Sequence, residues 1–221
     1  MTGTLPISDI RPIRNTRPTT SPRTPKKALA YGLAAATLTA WYGLEAHWML
    51  RRRRQIRTHP VQPLAAERHS GRVLLAAGFL GQAAAGALLC YAPGRRLLGD
   101  RATTILIALP GVWTGLALRH RAVATLGEHH RVTVDVHPGQ PLTRTGLYRH
   151  LRHPSYAGGL LAIGCAAFSL DHPPAAAVLT GCSLAGQLYR IHAEETVLTK
   201  AFGTAYTDYS ATTARLIPGV W

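Results

Sequence analysis

Five apolar segments, each almost free of charged residues, alternate with arginine-rich connections along the chain. A helix rises about 1.5 Å per residue, and a hydrocarbon core is about 30 Å thick, so the first segment is long enough to cross a membrane. Apolar blocks separated by basic connections are typical of multi-span membrane proteins. The pattern predicts an all-α polytopic membrane protein of about five transmembrane helices, over 28–50, 73–91, 103–118, 156–170 and 175–189.

The fourth and fifth segments are short for a full crossing and are separated only by Asp171-His-Pro-Pro174. Proline is tolerated in the first turn of a helix and disrupts its middle, which favours a new helix start at this point. We therefore predict a helix hairpin over 156–189. Because the two ends of a hairpin return to one side, three residues before it should lie near three residues after it, namely Arg152, His153 and Tyr156 near Arg190, Glu194 and Glu195.

Two details of the earlier segments also lead to expectations. Glu45 and His47 sit near the end of the first apolar segment, where their polar ends could reach the interface with the lipid headgroups. Pro110-Gly111 lies inside the third segment, so a kink is expected there.

The formal net charge of +15 would also suit a nucleic-acid-binding protein. That interpretation does not explain why charge disappears from five separate blocks, so we expect no nucleic-acid partner. With five crossings, one side receives 16 Lys and Arg residues and the other receives 9. The excess of positive charge on the inner side predicts that the loop 119–155 and the C-terminal region are cytoplasmic.

The chain divides into three predicted regions. Residues 1–27 are polar, basic and proline-rich without apolar periodicity, which predicts a disordered N-terminal tail. Residues 28–118 hold the N-terminal transmembrane helices. Residues 119–221 hold a long polar loop, the hairpin and a C-terminal tail, and chemistry-bearing side chains gather there.

The residue types near the hairpin are those that bind a ligand of mixed charge. Arg190 offers a planar fork for a carboxylate or phosphate, and Glu194 lies one turn further on the same helix face. Tyr148, His153 and Tyr156 supply hydrogen-bond donors and aromatic faces, which attract cations. S-adenosylmethionine combines a cation, a carboxylate and an aromatic ring, so it would suit these residues. Anchoring of the same side chains at the membrane interface is the alternative.

A metal site is a further possibility, because His120, His129, His130, His150 and His153 share one loop. No cysteine lies in this loop, and no H-E-x-x-H spacing occurs. Ligands of a structural or catalytic zinc ion would need such a pattern, so we expect no metal here.

Three motifs in the second half of the chain resemble the isoprenylcysteine carboxyl methyltransferase family and the related phospholipid methyltransferases. They occur in the order and spacing of that family, within roughly 118–218, and the first hundred residues carry no comparable motif. The motifs are Gly146-x-Tyr148-Arg149-x-x-Arg152-His153-Pro154-x-Tyr156-x-Gly158, then Arg190-x-x-x-Glu194-Glu195, then Phe202-Gly203-x-x-Tyr206-x-x-Tyr209 with Arg215-x-x-Pro218.

The resemblance implies an integral membrane enzyme that transfers a methyl group from S-adenosylmethionine to a lipophilic acceptor. It implies that Arg190, Glu194 and Glu195 are catalytic and that Arg190 binds the acceptor's carboxylate. Cofactor contacts are implied for Gln140, Pro141, Leu142, Thr143, Tyr148, His153, Pro154, Ser155, Tyr156 and Glu194. Gln140-Pro141 departs from the His-x-Leu-Val-Thr type of sequence that the family usually has in this position.

The acceptor remains open at this stage. A carboxylate is already a nucleophile at neutral pH, whereas an amine would need a base such as Glu194 or Glu195. A phospholipid amine is therefore the alternative acceptor, and a non-catalytic membrane protein or transporter component is the alternative of another class. The abundance of Arg and Ala suggests a high-GC bacterial source, so we expect a bacterial cell membrane, with membrane lipids and a lipophilic substrate as partners.

Overall fold

The computed structural model describes the backbone of residues 25–58, 65–92, 94, 96–126 and 142–219. Within this part of the chain the secondary structure is helical, as predicted, apart from one isolated bridge between Leu151 and Ala214. The helices are α1 (Pro25–Thr58), α2 (Ala65–Tyr91), α3 (Arg101–Leu126), α4 (Pro154–Phe168), α5 (Pro173–Phe202) and α6 (Thr204–Thr212), with a 3-10 turn at Gly146–Arg149. Residues 1–24 of the predicted N-terminal tail and residues 127–141 of the predicted polar loop lie outside the described residues.

Two helices among the described residues are long and apolar enough to cross a membrane, over Arg68–Tyr91 and Arg101–Leu126. α4 is apolar but shorter. On α2, Phe79 is 70% exposed and Leu75 is 63% exposed, although both are large apolar side chains. An apolar helix with so much uncovered surface is suited to a lipid environment. The number of five crossings stays a prediction.

α1 and α3 run parallel to each other. Lys26 at the start of α1 binds Asp100, immediately before α3, at 2.9 Å, and Glu45 binds Arg119 at 2.7 Å. Each pair joins residues 74 apart in the chain, so the two helices keep one register along their length. Buried small residues, among them Ala30 and Ala102, fill the contact between them.

The hairpin of α4 and α5 is confirmed, and its turn is fixed by hydrogen bonds. The side chain of His172 accepts from the backbone N–H of Ala175, which caps α5 ahead of the prolines. Asp171, with φ of 54°, accepts from the backbone N–H groups of Leu97 and Leu98. The turn is therefore tied to the connection between α2 and α3.

The helix that contains the fifth apolar segment extends beyond 189, where the predicted hairpin ends. α5 has 30 residues and continues past Tyr189 to Phe202. The charged residues after Tyr189 are good helix formers, so the end of the apolar run does not end the helix. The helix ends at Gly203, whose φ of 55° suits glycine far better than other residues.

α1 and α3 also differ in detail from the sequence prediction. α1 begins at Pro25 and continues through the arginine cluster at 51–54 to Thr58, because arginine is compatible with a helix interior. α3 continues through Pro110 as a single helix, so the proline does not end it. The expected kink stays a prediction.

Close packing of glycine positions α4 against α3. A Cβ placed on Gly158 would lie 2.6 Å from the backbone nitrogen of Arg119 and 2.6 Å from the carbonyl oxygen of Gly115. A Cβ on Gly115 would lie 2.5 Å from the backbone nitrogen of Ala162. Small residues at such crossings let helix backbones touch, which is the common mode of helix packing in membranes. The first turns of α4 therefore have a fixed position against α3.

Candidate active site

The segment before α4 is held in place by the C-terminal segment of the chain. The backbone N–H of Arg152 donates to the carbonyl of Ala214 at 2.8 Å, and that of His153 donates to the carbonyl of Arg215 at 3.2 Å. Gly146, with φ of 58°, lets the chain enter the 3-10 turn that precedes this segment. The C-terminal tail thus folds back on the 151–153 segment, which the sequence did not predict.

The predicted convergence of the two ends of the hairpin is observed. The guanidinium of Arg152 binds Oε1 of Glu195 at 2.8 Å, and Nε2 of His153 lies 3.2 Å from the same oxygen. The hydroxyl of Tyr156 donates to Oε1 of Glu194. Residues more than thirty-five positions apart in the chain therefore meet at one end of the hairpin.

Glu195 is surrounded by basic side chains. Besides Arg152 and His153, Arg215 binds its Oε2 at 2.8 Å through Nη2. Burial raises the pKa of a carboxyl, but here the hydrogen bond from His153 and the positive charges of His153, Arg152 and Arg215 outweigh it and lower the pKa of Glu195 below its usual range. Glu195 is therefore ionised at neutral pH and joins the hairpin to the C-terminal segment.

Glu194 and Arg190 form a second group, one helical turn apart on α5. Arg190 is 3% exposed, and its Nε donates to Oε1 of Glu194 at 3.0 Å. Its Nη1 donates to the hydroxyl of Ser70 on α2 at 2.8 Å. Nδ1 of His153 lies 3.7 Å from the other oxygen of Glu194. Arg190 thus links α2, α5 and the hairpin's entrance, a connection to Ser70 that no local sequence pattern indicates.

Tyrosines cover one side of this site. Tyr148 is buried, and its carbonyl accepts from the hydroxyl of Tyr209 at 2.6 Å. The guanidinium of Arg144 lies 5.6 Å from the centre of the Tyr209 ring. Burial raises the pKa of Tyr209 to about 12, and burial also raises that of Tyr148 above its usual range. Both phenols are therefore neutral at physiological pH, and that of Tyr209 acts as a hydrogen-bond donor.

A cleft of about 440 Å³ opens beside Glu195. Its other lining residues are mostly basic or hydroxyl-bearing, namely His192, Thr196, Thr199, Lys200 and Arg215. The cleft shares Glu195 with the group described above, but it does not include Tyr148, Tyr156 or Glu194. Its positive side chains suit an anionic group of a ligand.

The remaining predicted site residues are distributed as follows. Leu142 and Thr143 are half-buried before the 3-10 turn, and Pro154 is the buried first residue of α4. Ser155 lies 3.3 Å from Nη1 of Arg119 through its Oγ. Gln140 and Pro141 lie outside the described residues. Among the described residues, no group of three or more His, Cys, Asp and Glu side chains is placed to hold a metal ion.

Glu45 has a partner that the sequence analysis did not find. It was expected to reach the membrane interface, yet its carboxylate is bound by Nε and Nη2 of Arg119 at 2.7 and 3.1 Å. Two opposite charges in two apolar helices are a signal that could have suggested this pairing. The sequence alone could not identify the pair, because it does not show which residues of α1 lie opposite which residues of α3.

Comparison with known proteins gives three findings. Residues 106–200 match the model of the isoprenylcysteine carboxyl methyltransferase family. The protein-S-isoprenylcysteine O-methyltransferase A of Arabidopsis thaliana is 30% identical over 108 residues, which are 48% of this chain and 55% of that protein. The chain thus matches about half the length of this relative.

The third finding is a structural one. The solved structure of a eukaryotic intramembrane Ras methyltransferase, an isoprenylcysteine carboxyl methyltransferase, aligns with a TM-score of 0.46 at 21% identity. The alignment covers 73% of this chain and 55% of the other. Helices α4 and α5, up to Lys200, fall inside the matched family region, together with most of α3. Residues 106–200 of this chain are therefore similar to the isoprenylcysteine carboxyl methyltransferase family.

Proposed function

We propose that this chain is a membrane-bound methyltransferase that transfers a methyl group from S-adenosylmethionine to a carboxylate of a lipophilic acceptor. The observation that carries the proposal is the meeting of Tyr156, Arg190 and Glu194 in one hydrogen-bonded group inside the family region. The name of the plant relative, an isoprenylcysteine O-methyltransferase, supports the same class of reaction. An isoprenylated cysteine carboxylate is accordingly the acceptor class we favour.

The donor set fits S-adenosylmethionine in charge and in residue types. Glu194 offers a carboxylate to the positive sulfonium, and the tyrosines offer aromatic faces beside it. Lys200 and Arg215 in the adjacent cleft offer positive charge to the cofactor's own carboxylate, and His192 offers a ring nitrogen beside them. The residues proposed to hold the cofactor are Gln140, Pro141, Leu142, Thr143, Tyr148, His153, Pro154, Ser155, Tyr156 and Glu194.

When bound, S-adenosylmethionine supplies an activated methyl group for in-line displacement. The work of the chain is then to orient the acceptor and to keep water away. Arg190 is proposed to position the acceptor's carboxylate, since a guanidinium binds a carboxylate in a bidentate manner. It is already held by Glu194 and Ser70, so its orientation is fixed before an acceptor arrives.

The state of the two glutamates favours a carboxylate over an amine as acceptor. An amine acceptor needs a general base, and Glu195 is poorly suited to that role because two arginines and a histidine bind it and its pKa is lowered. Glu194 accepts hydrogen bonds from Tyr156 and Arg190. Carboxylate methylation requires no proton acceptor, so both side chains can keep the partners they have in the structure.

The location proposed for this reaction is a bacterial cell membrane, with the site on the cytoplasmic side. Helices α2 and α3 have the length and composition for crossing, and the exposed apolar face of α2 suits contact with lipid. A lipophilic acceptor would then enter from the bilayer. The orientation rests on the larger number of Lys and Arg residues on the side of the catalytic region.

Calorimetric binding of S-adenosylmethionine to the protein in lipid nanodiscs tests the proposal. We expect Glu194→Ala and His153→Ala to lose binding while they remain folded at the assay temperature, which thermal unfolding of each variant checks. His150→Ala and Asp208→Ala are matched controls, because both side chains are exposed and neither takes part in the site. Absence of binding by a folded wild-type protein, or equal loss in the control variants, would contradict the proposed function.

A further inference from the structure

Arg119 connects α1 to the first turn of α4, and the connection has a direct path to the candidate active site. Its Nε and Nη2 bind both carboxylate oxygens of Glu45, at 2.7 and 3.1 Å. Its remaining terminal nitrogen, Nη1, donates to Oγ of Ser155 at 3.3 Å. One planar guanidinium therefore holds side chains of two other helices in a fixed relative orientation.

Ser155 lies in sequence between His153 and Tyr156, the two residues at the start of α4 that contact Glu195 and Glu194. His153, the residue that precedes the helix, lies 3.2 Å from Glu195, and Tyr156 donates to Glu194. Arg119 also contacts this turn through its backbone, since a Cβ on Gly158 would lie 2.6 Å from its nitrogen. A change in the orientation of the Arg119 side chain therefore acts on the turn that carries His153 and Tyr156.

Glu45 binds two of the three guanidinium nitrogens of Arg119, Nε and Nη2. Both Glu45 and Arg119 have about a third of their side chains exposed, at 34% and 30%, and they lie in helices with apolar surroundings. A guanidinium that loses its carboxylate partner in such surroundings must find another acceptor. Glu45 lies outside the matched family region, so this connection belongs to the N-terminal part of the chain.

We propose that Glu45 is a positioning residue for the methyl-transfer site, which acts through Arg119 and Ser155 on the first turn of α4. The inference rests on the proposed function for its effect on activity. Its structural part, the fixing of residues 153–158, stands independently. In this arrangement α1 completes the active site without touching the reacting groups.

The chain contains a matched control pair. Lys26 and Asp100 join the same two helices at their other ends, at 2.9 Å, and are likewise 74 residues apart. Nineteen residues separate Lys26 from Glu45, and nineteen separate Asp100 from Arg119. The control pair therefore lies about 28 Å from the Glu45–Arg119 pair along the helices, at 1.5 Å per residue. Asp100→Asn removes an α1–α3 ion pair without affecting the turn of α4.

The test compares Glu45→Gln with Asp100→Asn in lipid nanodiscs, by hydrogen–deuterium exchange and by methyl transfer to N-acetyl-S-farnesylcysteine. We expect Glu45→Gln to raise amide exchange in residues 153–158 and to lower kcat at least tenfold, with acceptor KM changed less than threefold. Asp100→Asn should leave both readouts at the wild-type level. Ser155→Ala should lower kcat similarly, and the double variant Glu45→Gln/Ser155→Ala should lose no more than the larger single loss.

The outcomes separate the two proposals. Unchanged exchange in Glu45→Gln, equal effects of Asp100→Asn, or multiplicative losses in the double variant would overturn the positioning role. Raised exchange in Glu45→Gln together with absence of cofactor binding and methyl transfer in the wild type would keep the structural connection and reject the proposed function. Raised exchange with an unchanged kcat would show that the turn of α4 does not govern the reaction and would overturn the inference.

Discussion

Glu195 and Arg215 form an ion pair of 2.8 Å. They are 20 residues apart in the chain, and α6 lies between them in sequence. The same carboxylate binds Arg152 at 2.8 Å. One side chain of α5 therefore holds both the segment before α4 and the C-terminal segment that pairs with it. The C-terminal segment is thus part of the site's construction, although it follows the matched family region.

Replacement of Arg215 by glutamine should weaken this construction. The side chain of Arg215 is 29% exposed, so the pair is partly screened by solvent, and we expect a loss of about 1 kcal/mol of unfolding free energy. Arg152→Gln should cost more, about 2–3 kcal/mol, because that side chain is only 14% exposed. Thermal unfolding of the purified variants measures both. Lys200→Gln, an exposed basic residue of the same cleft, is the control and should change stability by less than about 0.5 kcal/mol.

The pH dependence of stability should report Glu195 directly. Its pKa is lowered in the folded chain, so its contribution is present above the ordinary glutamate pKa of about 4.5 and is lost as the pH falls through the lower folded value. We expect Glu195→Gln to be less stable than the wild type at pH 7 and the difference to shrink as the pH falls below about 4.5. Melting temperatures over pH 3–8 provide the measurement. Parallel curves for the two proteins would show that the pKa of Glu195 is not lowered in the folded chain.

Any side chain at position 158, in place of Gly158, should destabilise the contact between α3 and α4. Its added Cβ would meet the backbone of α3 at 2.6 Å, at Arg119 and at Gly115, and backbone atoms cannot move aside as a flexible side chain can. We expect Gly158→Ala to cost about 1–3 kcal/mol and to reduce cofactor binding by displacing the first turns of α4.

The neighbouring Gly159 is the matched control for this substitution. The nearest atom to a Cβ there is the end of the Arg119 side chain at 3.9 Å. Gly159→Ala should therefore be neutral or slightly stabilising, since alanine favours a helix by up to about 1 kcal/mol over glycine. Thermal unfolding and calorimetry on both variants decide the matter, and equal effects at the two positions would mean that the α3–α4 contact is looser than described.

The sequence predicted the helix hairpin because its determinants are local. A Pro-Pro pair between two apolar runs restricts where a helix can begin, and the return of the chain then brings its two ends together. The length of α5 was not predicted, because the apolar run ends at Tyr189 while the helix ends at Gly203. The length of an apolar run depends on burial or lipid contact, whereas the length of the helix depends on helix propensity and on the glycine that ends it.

The contacts that complete the site were beyond sequence reasoning for a different reason. Ser70 meets Arg190 across 120 positions, and Glu45 meets Arg119 across 74. Each contact depends on the register and rotation of two separate helices. In the first case, small residues such as Gly81 and Gly186 determine how closely α2 and α5 approach. No local pattern carries that information. The polar partner of a charge in an apolar helix is therefore identified only when the packing is known.

The final prediction concerns Arg190 and separates its two proposed roles. Arg190→Lys keeps the positive charge but loses the fork that reaches Ser70 and Glu194 together. We expect stability to fall by about 1–2 kcal/mol through the lost buried hydrogen bonds. We also expect acceptor KM to rise at least tenfold, with cofactor affinity changed much less.

Arg149→Lys is the control for this variant, because Arg149 is exposed on the 3-10 turn beside the site. It should leave stability and kinetic constants unchanged. Steady-state kinetics with N-acetyl-S-farnesylcysteine at saturating cofactor separate KM from kcat. If Arg190→Lys loses stability while the acceptor KM is retained, then Arg190 is a structural bridge between α2 and α5 and the acceptor's carboxylate binds elsewhere. A rise in KM matched by a comparable loss of cofactor affinity would instead place Arg190 in the cofactor's half of the site.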